Sequence, residues 1–599
     1  MATEPEALEH EEEGNPITTR HALRRAIVEA PSLRHGLITT VLLAVLGTIG
    51  SLIVPVMVQQ VVDRELLSEG GPNLTSVLWQ GAIAIALLVI ATFLARSAVF
   101  RLSTLTANGL KELRVKLFDH LHRLSILHVQ SERRGALVSR VTSDITTIQE
   151  FMEFGGVGML IGVAQVLLAL VVMFFYRWQL AALVSLGVII YIVMLLFFQS
   201  LLQRAHDQVR EKVADSLSVI GEAITGLPVI RAHGVEESTL ARVKATLTAQ
   251  VRAEHRAFKL SALLFASAEL FAAGITATVI GVGILLGAAE GTSAGVLLAF
   301  LFLVNLMIDP VQTLVETIDQ AQRAAAGLRR VLRVLDTPID IPDPVDGVEL
   351  RPGPLDMRMT DVTYRYPNGP VVLTKMNVEI PSGKRVAVVG QTGSGKTTFA
   401  KLVARLLAPD SGGIEIGGIS LPTIRFASLR QRVAFVPQEG FLFNTSIANN
   451  VRYGAPGATD QDIRDAFAQL GLEAWLERTP SGLETEVGER GTNLSAGERQ
   501  LVALVRAWIS KPDLLVLDEA TSAVDPFLEV SLRRAIERLT TGRTSITVAH
   551  RLSTAEASDE VLVFDHGGLV ERGNHHELLA SKGVYTKLYA DWDRGAKTA

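Results

Sequence analysis

The sequence contains no cysteine, which excludes disulfides, thiolate metal sites, iron–sulfur clusters and cysteine nucleophiles. Charge is scarce as well. Asp, Glu, Lys and Arg make up 20% of the chain, and 57 basic against 62 acidic residues leave a net charge of −5, so no basic excess speaks for a nucleic-acid partner. What remains is apolar: 48% hydrophobic residues and a mean hydropathy of +0.31 over 599 residues. That is too apolar for an ordinary cytosolic enzyme of this size, and it excludes a disordered or fibrous chain.

The apolar residues are concentrated in the first half. Uncharged runs extend from Gly36 to Val62, Gly70 to Ala95, Phe154 to Tyr176, Trp178 to Gln203 and Gly291 to Ile308, and Leu260 to Ala289 holds one charge, Glu269. A bilayer core about 30 Å thick takes about 20 apolar residues of helix. One such run could be a buried core helix; six in succession predict six membrane spans. The N-terminal stretch is acidic (Glu4, Glu6, Glu9, Glu11, Glu12, Glu13). It has neither the basic region nor the short apolar core of a signal peptide and reads as a solvated tail. Thr18 to Arg34 then places Leu23, Ile27 and Val28 on one helical face and Arg20, Arg24 and Arg25 on another, the pattern of an amphipathic helix on the inner membrane surface.

Charge sets the orientation. Arg96 to Glu153 and Arg204 to Lys259 each carry nine basic residues, whereas the opposite loops hold only Arg64 and Arg177. The positive-inside rule puts both termini and both long connections in the cytoplasm. Those connections are rich in Ala, Leu, Val, Arg and Glu and poor in breakers, so they read as helical continuations of spans 2 to 5. Their tips fall near Ser125 to Gly135 and Gly226 to Glu236, positioned to touch a cytoplasmic domain. Pro338, Pro342, Pro344, Pro352 and Pro354 mark a linker. The expected organisation is a tail at 1–17, a membrane domain at 18–335, a linker at 336–354 and a soluble α/β domain at 355–599. The fold class is therefore an α-helical membrane domain of six transmembrane helices with long cytoplasmic extensions, followed by an α/β P-loop nucleotide-binding domain.

The nucleotide motif begins where the β run Lys384 to Val389 meets Gly390-Gln391-Thr392-Gly393-Ser394-Gly395-Lys396-Thr397-Thr398 and a helical sequence. This is GxxxxGK[ST] between strand and helix. Glycines let backbone N–H groups approach phosphates at a helix N-terminus. Lys396 offers a cation to the β- and γ-phosphates, and the Thr397 hydroxyl is placed for Mg²⁺. Further on, Leu514-Leu515-Val516-Leu517-Asp518-Glu519 is a buried-type strand ending in two acids. Asp518 suits the second Mg²⁺-holding element of a P-loop ATPase, and Glu519 suits the general base for an attacking water.

These motifs, with Leu494-Ser495-Ala496-Gly497-Glu498 ahead of a helix, resemble the ATP-binding cassette (ABC) transporters, whose signature is LSGGQ. The resemblance extends to Gln438 in a Q-loop (Val436 to Glu439), Asp525 in a D-loop (Ser522 to Asp525) and His550 as a switch histidine. Thr485 to Glu489 is similar to the short stretch that precedes the signature in exporters. Tyr366 stands where the family has its adenine-stacking aromatic. Six spans ahead of one cassette is the layout of a bacterial exporter half-transporter of the type IV fold. The resemblance implies ATP and Mg²⁺ as cofactors, with Gln438 reaching the metal and the attacking water, His550 sensing the γ-phosphate, and Ser495 acting in trans on ATP held by a partner's P-loop. Ala496 and Glu498 depart from the family pattern. An alanine there narrows the backbone choices and an acid adds negative charge near ATP. The altered signature beside intact Walker motifs favours a heterodimer over a homodimer.

The implied function is ATP-driven transport of a hydrophobic or amphipathic compound by alternating access. An exporter-fold importer, for example of an iron-siderophore, and an ATP-gated channel or regulator are alternatives. A DNA-repair ATPase shares the signature but not the spans. Within the spans the polar candidates are Glu269, Gln165, Asn305 and Asp309. Glu269 either faces a central cavity and attracts cationic or amphipathic cargo or serves as a packing or pairing residue, and the second reading is preferred on sequence alone. Asp309-Pro310 reads as a kink with its own local hydrogen bonding.

Overall fold

Long uninterrupted apolar sequence with few helix breakers gives long helices, and among the described residues the computed structural model contains six that are long and apolar enough to cross a membrane. They run Leu37–Leu66, Leu74–Arg123, Arg140–Tyr176, Trp178–Thr225, Glu236–Gly287 and Ala294–Asp336. The structure describes residues 25, 28–29, 31–33, 36–66, 73–131, 139–290, 292–367, 369–518, 526–549 and 552–598. Most of the amphipathic helix expected at Thr18 to Arg34, and the acidic tail, lie outside them. At 1.5 Å per residue, the 50 residues of the second helix and the 52 of the fifth extend about 75 Å, more than twice the hydrocarbon thickness.

Interruptions have local causes. Pro55 sits in the first turn of the helix Ile53–Val61 and cannot donate to the carbonyl four residues back, and the preceding Gly50–Leu52 tightens into a 3₁₀ turn. Gly47 and Gly50 of the same span let it press against the second. A Cβ on Gly50 would collide with that of Ala91, and one on Gly47 would lie 2.8 Å from that of Ala95, a seam of small residues. At the other end of the first span, Asp63 accepts from Ser293 Oγ at 2.6 Å and from the Gly295 N–H at 2.9 Å, so a carboxylate caps the start of the sixth helix. Leu180, Val184, Val188, Tyr191 and Leu195 of the fourth helix and Phe300, Leu303, Met307, Val311 and Val315 of the sixth recur at helical spacing and form the buried core of the membrane domain.

The chain divides into two compact units: Met1–His122 with Arg133–Thr337, and Arg123–Glu132 with Pro338–Ala599. In the second, Leu127 packs against the main core cluster and Ser125 Oγ donates to Asp340 at 2.9 Å. The proline-rich stretch is built into this unit. The Val348 N–H donates to Thr423 O at 2.8 Å, Arg425 N–H to Val348 O at 3.0 Å, and Leu350 is buried.

Two sheets make up the second unit. An antiparallel sheet holds β1 (Met357–Arg365), β2 (Val371–Ile380), β4 (Ser411–Ile416) and β5 (Ile419–Ser420) in the order β2-β1-β4-β5. The larger sheet holds β3 (Arg385–Gly390), β6 (Val433–Val436), β7 (Leu514–Asp518), β8 (Thr544–Val548), β9 (Glu560–Asp565) and β10 (Gly568–Gly573) in the order β10-β9-β3-β8-β7-β6. All of its pairs are parallel except β9–β10. Covered on both faces, β7 is buried throughout. Leu514 and Val516 face the cluster that holds Phe399 and Val388, and Leu515 and Leu517 face a second cluster around Phe467, Trp475 and Leu501. One strand thus joins two hydrophobic cores.

Candidate functional site

The site forms at the carboxyl end of the large sheet, where β3 lies between β8 and β9, the usual ligand position in such sheets. Gly390, Gly393 and Gly395 all take positive φ (152°, 85° and 99°), a region open to glycine and strained for other residues. Gly390 and Gly395 are also crowded. A Cβ on Gly390 would collide with Phe564 O, and one on Gly395 would lie 2.6 Å from Leu373 Cδ2. The loop therefore lies flat against β9 and β2, and the helix Lys396–Val403 starts directly behind it.

Within that loop Lys396 is buried, and its Nζ donates to Gly390 O at 2.8 Å and Gln391 O at 2.9 Å. Thr397 Oγ1 donates to Asp518 Oδ1 at 3.0 Å, which joins the start of the helix to the end of β7. Tyr366, half-buried just past β1, shares a hydrogen bond with Thr398 Oγ1 at 3.1 Å and packs edge-on against Tyr364. Ser394 Oγ is buried and has no hydrogen-bond partner among the described residues. A buried hydroxyl without a partner is costly, and in a glycine cradle at a helix N-terminus it fits a phosphate oxygen. The residues present suit a nucleoside triphosphate with a divalent cation between Thr397 and Asp518.

The signature turn belongs to the second core. Ser495 caps the helix Ala496–Ile509. Its Oγ accepts from the Glu498 N–H at 3.3 Å, and Glu498 Oε2 accepts from the Ser495 N–H at 2.8 Å, a reciprocal capping box. Glu498 Oε1 also accepts from Trp475 Nε1 at 3.2 Å. Partial burial pushes the Glu498 carboxyl up, but the hydrogen bonds from Ser495 and Trp475 and the nearby Arg478 charge outweigh it and hold the group below its ordinary value. One carboxylate oxygen, Oε2, thus turns back on the start of the helix that carries it, and the other, Oε1, is held by Trp475 of the helical turn Glu473–Leu476. Ala496 is the first helical residue, where a methyl group is tolerated. Trp475 was missed from sequence, although the Ser-x-x-Glu spacing it supports was legible there.

Gln438 is exposed just after β6. Beside it, Gln500 Nε2 donates to Pro437 O at 3.5 Å, and a Cβ on Gly440 would lie 2.8 Å from Arg499 O. The Q-loop segment thus rests on the first turns of the signature helix. The structure brings Tyr366, the loop Gly390 to Thr398 and Asp518 together; Val436 pairs with Leu517, so Gln438 follows β6 at the same end of the sheet as Asp518, and Leu494 to Glu498 open the helix Ala496–Ile509. Glu519, Asp525 and His550 lie outside the described residues.

Six membrane-crossing helices and a P-loop cassette in one chain define a polytopic membrane protein driven by nucleotide. A family model described as the ABC transporter transmembrane region matches residues 37–311, and one described as ABC transporter matches residues 373–522. The chain is 31% identical over 514 residues to the ABC transporter ATP-binding protein YwjA of Bacillus subtilis (strain 168), covering 84% of this chain and 89% of that protein. To an ATP-dependent lipid A-core flippase of Desulfotalea psychrophila it is 30% identical over 516 residues, covering 84% of this chain and 89% of that protein. A solved bacterial Atm1-family ABC exporter with ATP bound superposes with a TM-score of 0.76 at 25% identity, covering 95% of this chain and 98% of that one. The chain belongs to the ABC transporter family. It has the type IV exporter fold, is a multi-pass membrane protein with a cytoplasmic ATPase domain, and its half-transporter layout implies a dimer.

Proposed function

We propose that the chain is one half of an ATP-driven exporter that moves a hydrophobic or amphipathic compound across the membrane by alternating access. The observation that carries this is the joining of Thr397, Lys396 and Asp518 at one sheet edge in a chain with six spans. The flippase and exporter names of its relatives support the type of cargo and the direction.

In this reading Lys396 leaves the loop carbonyls to meet the β- and γ-phosphates of MgATP, and the P-loop N–H groups and Ser394 Oγ hold phosphate oxygens. Thr397 and Asp518 hold Mg²⁺, with Gln438 as a further ligand. When bound, that ion neutralises phosphate charge. Tyr366 stacks on adenine. Glu519 takes a proton from the attacking water, and His550 and Asp525 complete the site. The chemical step is phosphoryl transfer to water, lowered chiefly by electrostatic positioning. Leu494, Ser495, Ala496, Gly497 and Glu498 act across the dimer on a partner's nucleotide. The partner we propose is a second, non-identical half-transporter, because this P-loop keeps the family residues while Glu498 sets this signature apart.

The test uses proteoliposomes with cassettes facing outward. ATP should drive a fluorescent amphiphile into the lumen; ATP-driven depletion of the lumen indicates import, and dissipation without accumulation indicates a channel. Glu519→Gln should retain nucleotide binding and abolish steady-state hydrolysis, and unchanged turnover removes Glu519 from its role.

A further inference from the structure

The helix Lys396–Val403 has the P-loop lysine as its first residue, and Arg405 follows its last turn about 14 Å further along. Phe399, Ala400, Leu402 and Val403 are fully buried in the main core cluster, so the helix is seated as a rigid rod. Arg405 takes φ 50°, the left-handed region that disfavours any residue with a side chain. It is 6% exposed. Its Nη1 donates to Ile424 O at 2.5 Å, and its Nη2 donates to Pro342 O at 3.0 Å and Pro422 O at 3.1 Å. The guanidinium also lies over the Phe426 ring, 4.3 Å from its centroid. Three carbonyls and a ring hold one buried cation on strained backbone, so its position is over-determined.

Pro342 belongs to the connection from the sixth helix. That helix ends at Asp336, and the Arg405 clamp closes on the chain six residues further on. Pro338 and Pro342 stiffen this stretch by fixing φ. It is also fastened along its length. Asp336 pairs with Arg25, Thr337 O accepts from His120 Nε2 at 3.0 Å, and Asp340 accepts from Ser125. Past the clamp, Asp343 Oδ1 accepts from the Phe426 N–H at 2.8 Å, Val348 bridges Ile424, and Ser428 Oγ accepts from the Leu350 N–H at 2.9 Å. A connection restrained this often has little slack.

We propose that Arg405 is a clamp through which the nucleotide cradle drives the sixth helix along the chain itself. A shift of the P-loop helix, when Lys396 and its neighbours close on phosphate, passes through Arg405 to Pro342 and over six restrained residues to the end of the last span. This rests on the ATP-driven transporter reading and adds a route of coupling within one chain, separate from the connection tips recognised in the sequence.

Added slack is the test. Four glycines inserted between Thr337 and Pro338 lengthen the connection by up to about 13 Å and leave the residues that Arg405 holds unchanged. The reporter is a single cysteine, unique because the chain has none of its own. Thr292→Cys places it just ahead of the sixth helix at the outer end, where the threonine hydroxyl is buried. Full-length protein in nanodiscs is labelled with a charged maleimide, with and without MgATP and vanadate. In the parent, trapped nucleotide should change the labelling rate by about fivefold or more. In the insertion variant ATP affinity and basal hydrolysis should stay within about twofold of the parent, while the nucleotide-dependent change shrinks to less than about twofold, because a ligand that no longer distinguishes two states shifts neither. Arg405→Lys keeps the charge but gives up the planar fork that reaches three carbonyls, and it should reduce the change as well. A full nucleotide-dependent change in the insertion variant overturns the proposal, whether or not Arg405→Lys folds. Loss of ATP binding in the insertion variant assigns the connection to cassette stability and overturns it too. No change in the parent removes the ATP-driven cycle, and the clamp with it.

Discussion

Gln165 of the third helix donates through Nε2 to the carbonyl of Leu306 at 3.0 Å. Leu306 lies four residues before Pro310, which interrupts the sixth helix without ending it. A proline supplies no N–H to that carbonyl, and in a membrane no water replaces it; a glutamine from the neighbouring helix does. Gln165→Leu should therefore cost about 1–2 kcal/mol. The cost should largely disappear when Pro310→Ala restores the backbone donor. Thermal unfolding of the two single variants and the double variant in detergent measures this coupling, and additive effects would break the link.

The capping box predicts a stability effect with a defined pH dependence. Glu498→Ala should cost the cassette about 1 kcal/mol at neutral pH. The folded carboxyl lies below the ordinary 4.5, so its contribution is present above that value and fades as pH falls through the folded one. Melting curves of wild type and Glu498→Ala should differ at pH 7 and draw together as the pH falls below the ordinary carboxylate range.

Gly395→Ala should abolish ATP binding more completely than Thr397→Ala. The first places a side chain at φ 99° and 2.6 Å from Leu373 Cδ2, displacing the loop itself. The second removes one hydroxyl opposite Asp518. Binding of a fluorescent ATP analogue with and without Mg²⁺ distinguishes them: Thr397→Ala should lose mainly the Mg²⁺-dependent part.

Tyr366→Phe should bind ATP nearly as well as wild type, because it keeps the ring and gives up only the bond to Thr398. Tyr366→Ala should weaken binding by about tenfold, the loss of one aromatic stack. A similar loss in both would assign the effect to the hydroxyl and not to the π-face.

Gly50→Leu should separate the first two spans. Even a methyl group there collides with Ala91, and overpacking of this kind costs about 1–3 kcal/mol or more. A lower melting temperature, with nucleotide affinity unchanged in the second unit, is the expected outcome.

The sequence by itself determined the spans, their orientation and the cassette. These are read from continuous signals: hydrocarbon thickness sets the length of an apolar helix, and a phosphate cradle needs its glycines and lysine at fixed spacing. It also held the Ser495–Glu498 capping box, since both partners lie within one helical turn. Only the tertiary structure decided which distant groups meet. Gln165 completes a carbonyl on another helix, Trp475 holds Glu498, Asp63 caps the sixth span, and Tyr191 stacks on Phe271 of the fifth helix. Such pairings depend on how helices rotate and pack against each other. No local periodicity encodes that rotation, because every face of a span in lipid is apolar enough to pass for any other.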